Sequence, residues 1–408
     1  MEKRVTRQAK TMFGVLFLLT LLRGTESLAA TNRPSILVIG GSGRVGGSAV
    51  RSLIEHDLDV TVGGRSSSNF EASIDRSPSL NKGAVKFQPL DIHSEQQLDA
   101  VIPNYDVIVH TAGPFQGLKD PGVLTCALQH GKKYVDVMDD VGLSRIARAA
   151  EYQDLAKETG ATAVVSAGIW PGGSSLLAQQ AIDAVGGGDK VQSICFDFFT
   201  AGSGNAGTTI ITATFLILGE DVLTYEKGRR VYKKSASDSR MVNFGDIVGD
   251  REVVRLNLIE CESSHVSSGV QNVQTNFGTA PPLWNSLFAL MANLMPQRVL
   301  QNRDWMEKLA VFSMPMIRLI DTFVGSTNSI KVTLTLKDGK TTCGALMTHP
   351  DLEAGVGDAL AAFVVQMLNN ESEDSLPSGV FYPEEMPSRY REAVLSTIKK
   401  TATEVATF

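Results

Sequence analysis

The chain has 408 residues, 43% of them hydrophobic and 20% charged, with a formal net charge of -6. That length exceeds the size at which one hydrophobic core keeps growing, so two domains are expected. The composition is that of an ordinary globular protein, and an acidic balance without a basic stripe excludes nucleic-acid binding through bulk charge.

Lys3, Arg4, Arg7 and Lys10 precede an apolar run over residues 12–22, and Ser27-Leu28-Ala29 supplies the small residues that a signal peptidase reads. The run is too short to span a bilayer comfortably. Residues 1–30 therefore read as a cleavable secretory-type signal, with a retained anchor or an organelle presequence as alternatives.

The first element after it is Ile36-Leu37-Val38-Ile39, an apolar strand that runs into Gly40-Gly41-Ser42-Gly43-Arg44-Val45-Gly46-Gly47 and then a helix. Gly41-x-Gly43-x-x-Gly46 fits the dinucleotide fingerprint, and its place between strand and helix is what gives the motif weight. The first glycine allows the tight turn, the second lets backbone approach a pyrophosphate, and the third lets helix and strand pack closely. Ser42, Arg44 and Val45 complete the expected phosphate-binding turn at the helix N-terminus.

Asp59 to Arg65 reads as the second strand. A carboxylate at its end would bind a ribose 2′-hydroxyl, but the chain carries Arg65 and Ser66 there, which suit a 2′-phosphate. NADP(H) is the expected cofactor. A third strand over 84–90 ends at Asp91, the usual place for a residue near the adenine. The fourth, Asp106 to His110, leads into Thr111 and then Ala112, Gly113 and Pro114, a turn expected near the nicotinamide. A helix over 118–129 follows, then the strand Lys133-Tyr134-Val135-Asp136 with Asp139 and Asp140 just beyond. A single helix over 143–159, a strand over 161–167 and the loop Gly168-Ile169-Trp170-Pro171-Gly172-Gly173 complete a βα alternation of the parallel-sheet type.

Past Gly186-Gly187-Gly188 the regular helical return ceases. Strands are expected over 191–200, 252–258 and 329–336, the last turning at Asp338-Gly339 into a hairpin. Helices are expected over 283–300 and 305–323; their apolar faces read as core or subunit interface, and too few cations line them to favour a membrane surface. A helix rich in Ala and Val over 355–368, a loop over 369–378 and a charged terminal helix end the chain. Cys126, Cys195, Cys261 and Cys343 lie far apart, with no CxxC pair and no histidine at a zinc-like spacing, so neither a metal site nor a disulfide framework is expected. Three of the four fall in β-like segments and one in a helix.

Taken together, the turn over 40–46, His110 to Phe115, Tyr134-Val135-Asp136, the loop 168–173 with Trp170-Pro171, and Gly379 to Glu385 resemble the saccharopine dehydrogenase-like oxidoreductases. Thr200-Ala201-Gly202-x-Gly204 and Phe277-Gly278-Thr279-Ala280-Pro281 are similar to the plant and algal plastid branch. The resemblance implies an α/β protein with a doubly wound parallel-sheet Rossmann domain and an inserted α+β domain for substrate and dimerisation. C-terminal helices would return to the first domain. The expected boundaries are 1–30 signal, 31–188 NADP-binding, 189–348 inserted and 349–408 returning.

The resemblance also implies pyridine-nucleotide redox chemistry on a small molecule, with Asp136 near an amino-acid substrate. Met138-Asp139-Asp140 departs from the family pattern, and no arginine cluster is visible for several substrate carboxylates, which argues against saccharopine itself. Asp136 and Asp139 are the candidate catalytic carboxylates, since neighbouring carboxylates raise one another's pKa. The alternatives are a non-catalytic NADPH-binding scaffold and a reductase of an apolar, membrane-associated carbonyl or isoprenoid compound. A homodimer is expected. A plastid reached through the endomembrane system would reconcile signal and cofactor, with the secretory lumen as the alternative.

Overall fold

The computed structural model describes residues 33–76, 85–202, 207–369 and 376–408. The expected signal, Gly204 and residues 370–375 of the expected loop lie outside these. Ser35–Phe408 forms one compact unit.

The first part alternates strand and helix. In order come β1 (Ser35–Ile39), α1 (Arg44–Glu55), β2 (Asp59–Gly64), α2 (Ser67–Arg76), β3 (Lys86–Pro89) and α3 (Glu95–Val101). Then follow β4 (Val107–His110), α4 (Gly122–Gln129), β5 (Lys133–Asp136), α5 (Val141–Ala147), α6 (Ala150–Thr159), β6 (Thr162–Val164) and α7 (Gly173–Ala184). The second part runs β7 (Val191–Ala201), α8 (Thr208–Leu218), β8 (Val222–Glu226), β9 (Arg229–Lys233), β10 (Arg240–Asn243), α9 (Gly245–Val248), β11 (Asp250–Arg255) and α10 (Glu260–Ser268). It continues through β12 (Val273–Ala280), α11 (Leu283–Leu294), α12 (Gln297–Leu300), α13 (Arg303–Val324), β13 (Thr327–Leu336) and β14 (Thr342–His349). Last come α14 (Leu352–Leu368), β15 (Gly379–Phe381), α15 (Ser388–Lys400) and β16 (Glu404–Thr407).

One sheet has seven strands in the order β15-β6-β5-β4-β1-β2-β3, every pair parallel. All four residues of β4 and the last four of β1 are buried, the continuous apolar reading that a sheet covered on both faces requires. A second, mixed sheet of nine strands is built on β7, which pairs in parallel with β12 and antiparallel with β13. Helix α7 ends the first βα series and packs on β13 and β14, so it joins the two sheets. The C-terminal segment serves both: β15 extends the first sheet at β6, β16 extends the second at β14, and α14 packs along α1. No helix among the described residues is long and apolar enough to cross a membrane.

Several elements differ from the sequence reading, each for a local reason. The helix expected over 143–159 is two, because Ala149 adopts an extended conformation between them. The helix expected over 283–300 breaks at Met295-Pro296: proline offers no N–H and pushes its predecessor out of the helical region. Two cysteines, Cys195 and Cys343, lie in strands, whereas Cys126 and Cys261 lie in α4 and α10. Helix α8, with the sequence TTIITATFLIL, is rich in β-branched residues and escapes a reading by propensity; half of it is buried against α13 and its neighbours, and burial decides the outcome.

Candidate active site

Because β4, β1, β2 and β3 are adjacent and parallel, the loops at their carboxyl ends lie side by side. The connections from β1 to β2 and β4 to β5 run in opposite directions along the sheet, and the crevice between β1 and β4 is its topological switch point. Gly41 to Gly46, Arg65 with Ser66, Asp91, and Ala112 to Pro114 thus come together along one edge. Asp136 and Asp139 sit beyond the next strand over.

The turn itself is tighter than its spacing shows. Gly40, which precedes the fingerprint, carries the left-handed φ of +83°, and a Cβ there would stand 2.8 Å from the Ala112 nitrogen. The tight turn is therefore at Gly40, whereas Gly41 is the packing position, where a Cβ would meet the Val62 side chain at 2.9 Å. A Cβ on Gly46 would come within 2.2 Å of the Gly40 carbonyl oxygen and 2.6 Å of the Thr111 hydroxyl. That hydroxyl donates to the Ile39 carbonyl at 2.9 Å and ties the end of β4 to the end of β1. Helix α1 starts at Arg44 with Gly43 as its exposed N-cap and no acidic side chain in its first turn, leaving the positive end of the dipole open to an anion. Arg65 is exposed just past β2, and Ser66 contacts Ser68 and caps the Asn69 nitrogen. Asp91 accepts from the His93 nitrogen and sits in the turn before α3. These residues fit a dinucleotide carrying a 2′-phosphate: backbone N–H groups for the pyrophosphate, a cation and hydroxyls at the ribose.

Two further residues reach the crevice that spacing did not single out. Arg303, the first residue of α13, donates to the Pro114 carbonyl at 3.1 Å and the Gln116 carbonyl at 2.8 Å, so the second part of the chain clamps the loop after β4. Glu353 of α14 stands 4.0 Å from Arg44, with burial pushing its carboxyl up to about 7 against the pull of that arginine. Nothing in a lone arginine or glutamate some 190 and 310 residues away from its neighbour marks either one in sequence.

Asp136 ends β5 opposite His110 and is fully buried. One carboxylate oxygen accepts from the Ser166 nitrogen at 2.7 Å and the Met138 nitrogen at 3.1 Å; the other accepts from the Tyr134 hydroxyl at 2.9 Å. Burial raises its carboxyl to about 6 in spite of these three donors. His110 Nδ1 lies 3.0 Å from the same tyrosine hydroxyl. With Tyr134 donating to Asp136, His110 donates from Nδ1, and Nε2 is left as a buried lone pair without a partner. Burial holds His110 down to about 4, so the ring is neutral.

Asp140 caps α5 by accepting from the Leu143 nitrogen at 2.6 Å, and its other oxygen accepts from Gly117 at 3.0 Å. Asp139 is partly exposed and stands beside Gln116; burial pushes it up to about 6, with the charges of Asp140 and Asp136 adding to the rise. The two candidate carboxylates therefore have unlike settings. Asp136 is consumed by internal hydrogen bonds, and Asp139 is the one with a surface.

Two cavities adjoin these loops. The larger, about 660 Å³, is lined about equally by polar and apolar surface and lies between Gln116, Asp140 and Arg145 on one side and Glu220, Tyr232 and Asn257 on the other. Glu220 accepts from the Asn257 amide at 2.7 Å, and burial raises it to about 7. The smaller, about 160 Å³, is apolar and is walled by Trp170, Ile210, Phe215, Phe277, Trp284 and Phe288, with Leu352 beside Glu353 at its edge.

Residues 36–164 match the family model of the saccharopine dehydrogenase NADP binding domain. Among solved structures, the saccharopine dehydrogenase (L-Glu forming) of Saccharomyces cerevisiae is similar over 92% of this chain and 100% of its own, with a TM-score of 0.59 at 15% identity. Pen from Bacillus thuringiensis is similar over 33% of this chain and 50% of its own, with 18% identity and a TM-score of 0.27. No curated protein matches the chain. The two-sheet architecture is thus that of the yeast enzyme's fold. Residues 36–164 are similar to the saccharopine dehydrogenase NADP binding domain, and NADP(H) is the cofactor of the chain.

Proposed function

We propose that the protein is an NADP(H)-dependent oxidoreductase that transfers hydride to or from a small amine-, imine- or carbonyl-bearing metabolite. The observation that carries this reading is the switch-point turn, where a Cβ on Gly46 would run into the Gly40 carbonyl and the Thr111 hydroxyl beside an open helix N-terminus. The NADP-binding domain and the saccharopine dehydrogenase-like fold support it. Bound NADPH supplies hydride at C4 of its nicotinamide. The chain supplies position and a proton: Arg303 holds the loop over 114–116, Asp139 exchanges the proton of the substrate heteroatom, and Asp136 braces the end of β5.

The test is a screen of carbonyl and imine compounds with the purified protein, following NADPH absorbance. Turnover of at least one is expected. Asp139→Asn should lower kcat, leave NADPH affinity unchanged and remove the limb of the pH profile near 6. Tight NADPH binding with no turnover of any compound overturns catalysis and leaves a non-catalytic NADPH-binding scaffold.

One observation favours a second reading, reduction of an apolar compound taken from a lipid surface. Helices α11 and α13 wall the apolar cavity and also expose Leu283, Leu290, Leu294, Trp305, Phe312 and Phe323. Flotation with vesicles of neutral phospholipid tests it. Failure to float, with a dimer in solution, assigns that face to a subunit contact instead.

A further inference from the structure

The first sheet has a second edge, at the amino ends of its strands. A helix that returns between parallel strands runs against them, so the C-terminal end of α4 lies at this edge, away from the cofactor turn. Cys126 and His130 are four residues apart at that end of α4, hence on one helical face. Asp99 of the neighbouring α3 faces them. Its Oδ1 is 3.4 Å from the Cys126 Sγ and 3.3 Å from the His130 Nε2, and the three ligand atoms all lie within 4.8 Å of one another.

These separations are what a metal needs. Zinc bonds of about 2.0–2.3 Å to nitrogen, oxygen and thiolate in a tetrahedron put neighbouring ligand atoms about 3.3–3.8 Å apart. Two of the three edges already have that length, and the third, from the Cys126 Sγ to the His130 Nε2, is no longer than 4.8 Å. The donor set is also right in kind, since thiolate, imidazole and carboxylate together select zinc-class ions over magnesium or calcium. Glu95, one turn before Asp99 on the same helix, adds a second negative charge to the field around the thiol. Cys126 is buried, whereas Asp99 and His130 are open to solvent, so an ion enters from the surface and keeps a water as its fourth ligand.

We propose that Asp99, Cys126 and His130 form a divalent metal site of the zinc class that pins α3 to α4. Binding deprotonates Cys126 and releases one proton to solvent. Nothing in this site touches the crevice, so its role is to hold the sheet's amino edge together. The sequence reading found no zinc-like spacing because Asp99 comes from another helix and a Cys-x-x-x-His pair within one helix is only half a site.

The test uses the full chain, stripped with a chelator and titrated with cobalt(II). One equivalent should produce the charge-transfer absorption of a cobalt–thiolate bond, and zinc(II) should displace it and raise the melting temperature. Cys126→Ala should abolish the band, and His130→Ala and Asp99→Asn, both at solvent-exposed side chains, should weaken binding at least tenfold with NADPH affinity unchanged. Absence of the band in the unaltered chain overturns the proposal. So does a band that survives Cys126→Ala, which would place the ion on another of the cysteines.

Discussion

The two sheets bury their strands differently. In the parallel sheet, β1, β4, β5 and β6 are buried along nearly their whole length, because α1 with α14 covers one face while α3, α4 and α6 form another layer. In the mixed sheet, β7 alternates. Ile194, Phe196 and Phe198 enter the main core, and Cys195 and Asp197 face the other way toward Arg240, Gln274 and Asn276. The first sheet is held by hydrophobic burial with its polar chemistry pushed to the strand ends. The second carries buried charge in its middle, and its stability depends on pairing that charge.

The largest effect should come from the strand-end chemistry of the first sheet. Gly46→Ala drives a methyl into the Gly40 carbonyl, and NADPH affinity should fall about 1,000-fold, equivalent to about 4 kcal/mol, by isothermal titration. Gly47→Ala, whose Cβ would meet nothing closer than 3.6 Å, is the matched control and should bind normally. Equal losses in both would mean that the helix, and not the close approach, is what the cofactor requires.

On the second sheet, Arg240→Ala leaves Asp197, 2% exposed, without its cation. Because Arg240 itself is 41% exposed, the cost should be about 2 kcal/mol in urea unfolding, short of a fully buried pair. The double variant with Asp197→Asn should recover most of it. A silent Arg240→Ala would erase the distinction between the sheets.

A smaller change is expected at Arg65. Arg65→Ala should weaken NADPH about tenfold, about 1.4 kcal/mol, and leave NADH as it was, if the guanidinium meets the 2′-phosphate. NADPH affinity that does not move would remove Arg65 from the site.

The mildest effect concerns pH. Burial raises Asp136 and Asp139 to about 6, and Glu220, Glu260, Glu353 and Glu384 to about 7. Their folded pKa values lie above the unfolded ones, so from about pH 4 to pH 7 the native state holds more protons and stability falls as pH rises. His110 and His349, held down to about 4, oppose this below pH 6.5, two groups against six. Melting temperature should therefore decline between pH 5 and pH 8. Glu384→Gln, at a carboxyl with one oxygen unpartnered, should flatten the slope. A melting temperature that climbs over that range would show these carboxyls to be better paired than their surroundings indicate.

The same contrast explains what could be read from the chain. Continuous apolar strands followed by glycine, such as Ile36 to Gly41, announce a parallel sheet and its ligand edge, and the local motif carries the information. In the second region β9 reads Arg-Arg-Val-Tyr-Lys and β10 Arg-Met-Val-Asn, short and charged, and only their partners make them strands. The candidate site divides along the same line. Gly46, Arg65 and Pro114 are visible because a turn encodes them locally. Arg303 on the Pro114 carbonyl and Glu353 beside Arg44 depend on folding, and the contrast between Asp136 and Asp139 depends on which one the Ser166 and Met138 amides reach.

The packing of α14 along α1 bears on how the protein is made. A Cβ on Gly357 would come within 2.5 Å of the Ser48 backbone, and Asp358 accepts from the Ser52 hydroxyl at 2.6 Å. Helix α1 is thus covered by residues translated some 300 positions later, and the sheet receives its edge strand, β15, later still. On the ribosome the nucleotide-binding turn emerges first and waits with α1 uncovered until nearly the whole chain has followed. A ribosome stalled before residue 352 would carry every glycine of the fingerprint and still lack a finished NADP domain. The last seventh of the sequence, residues 352–408, completes the layer over α1.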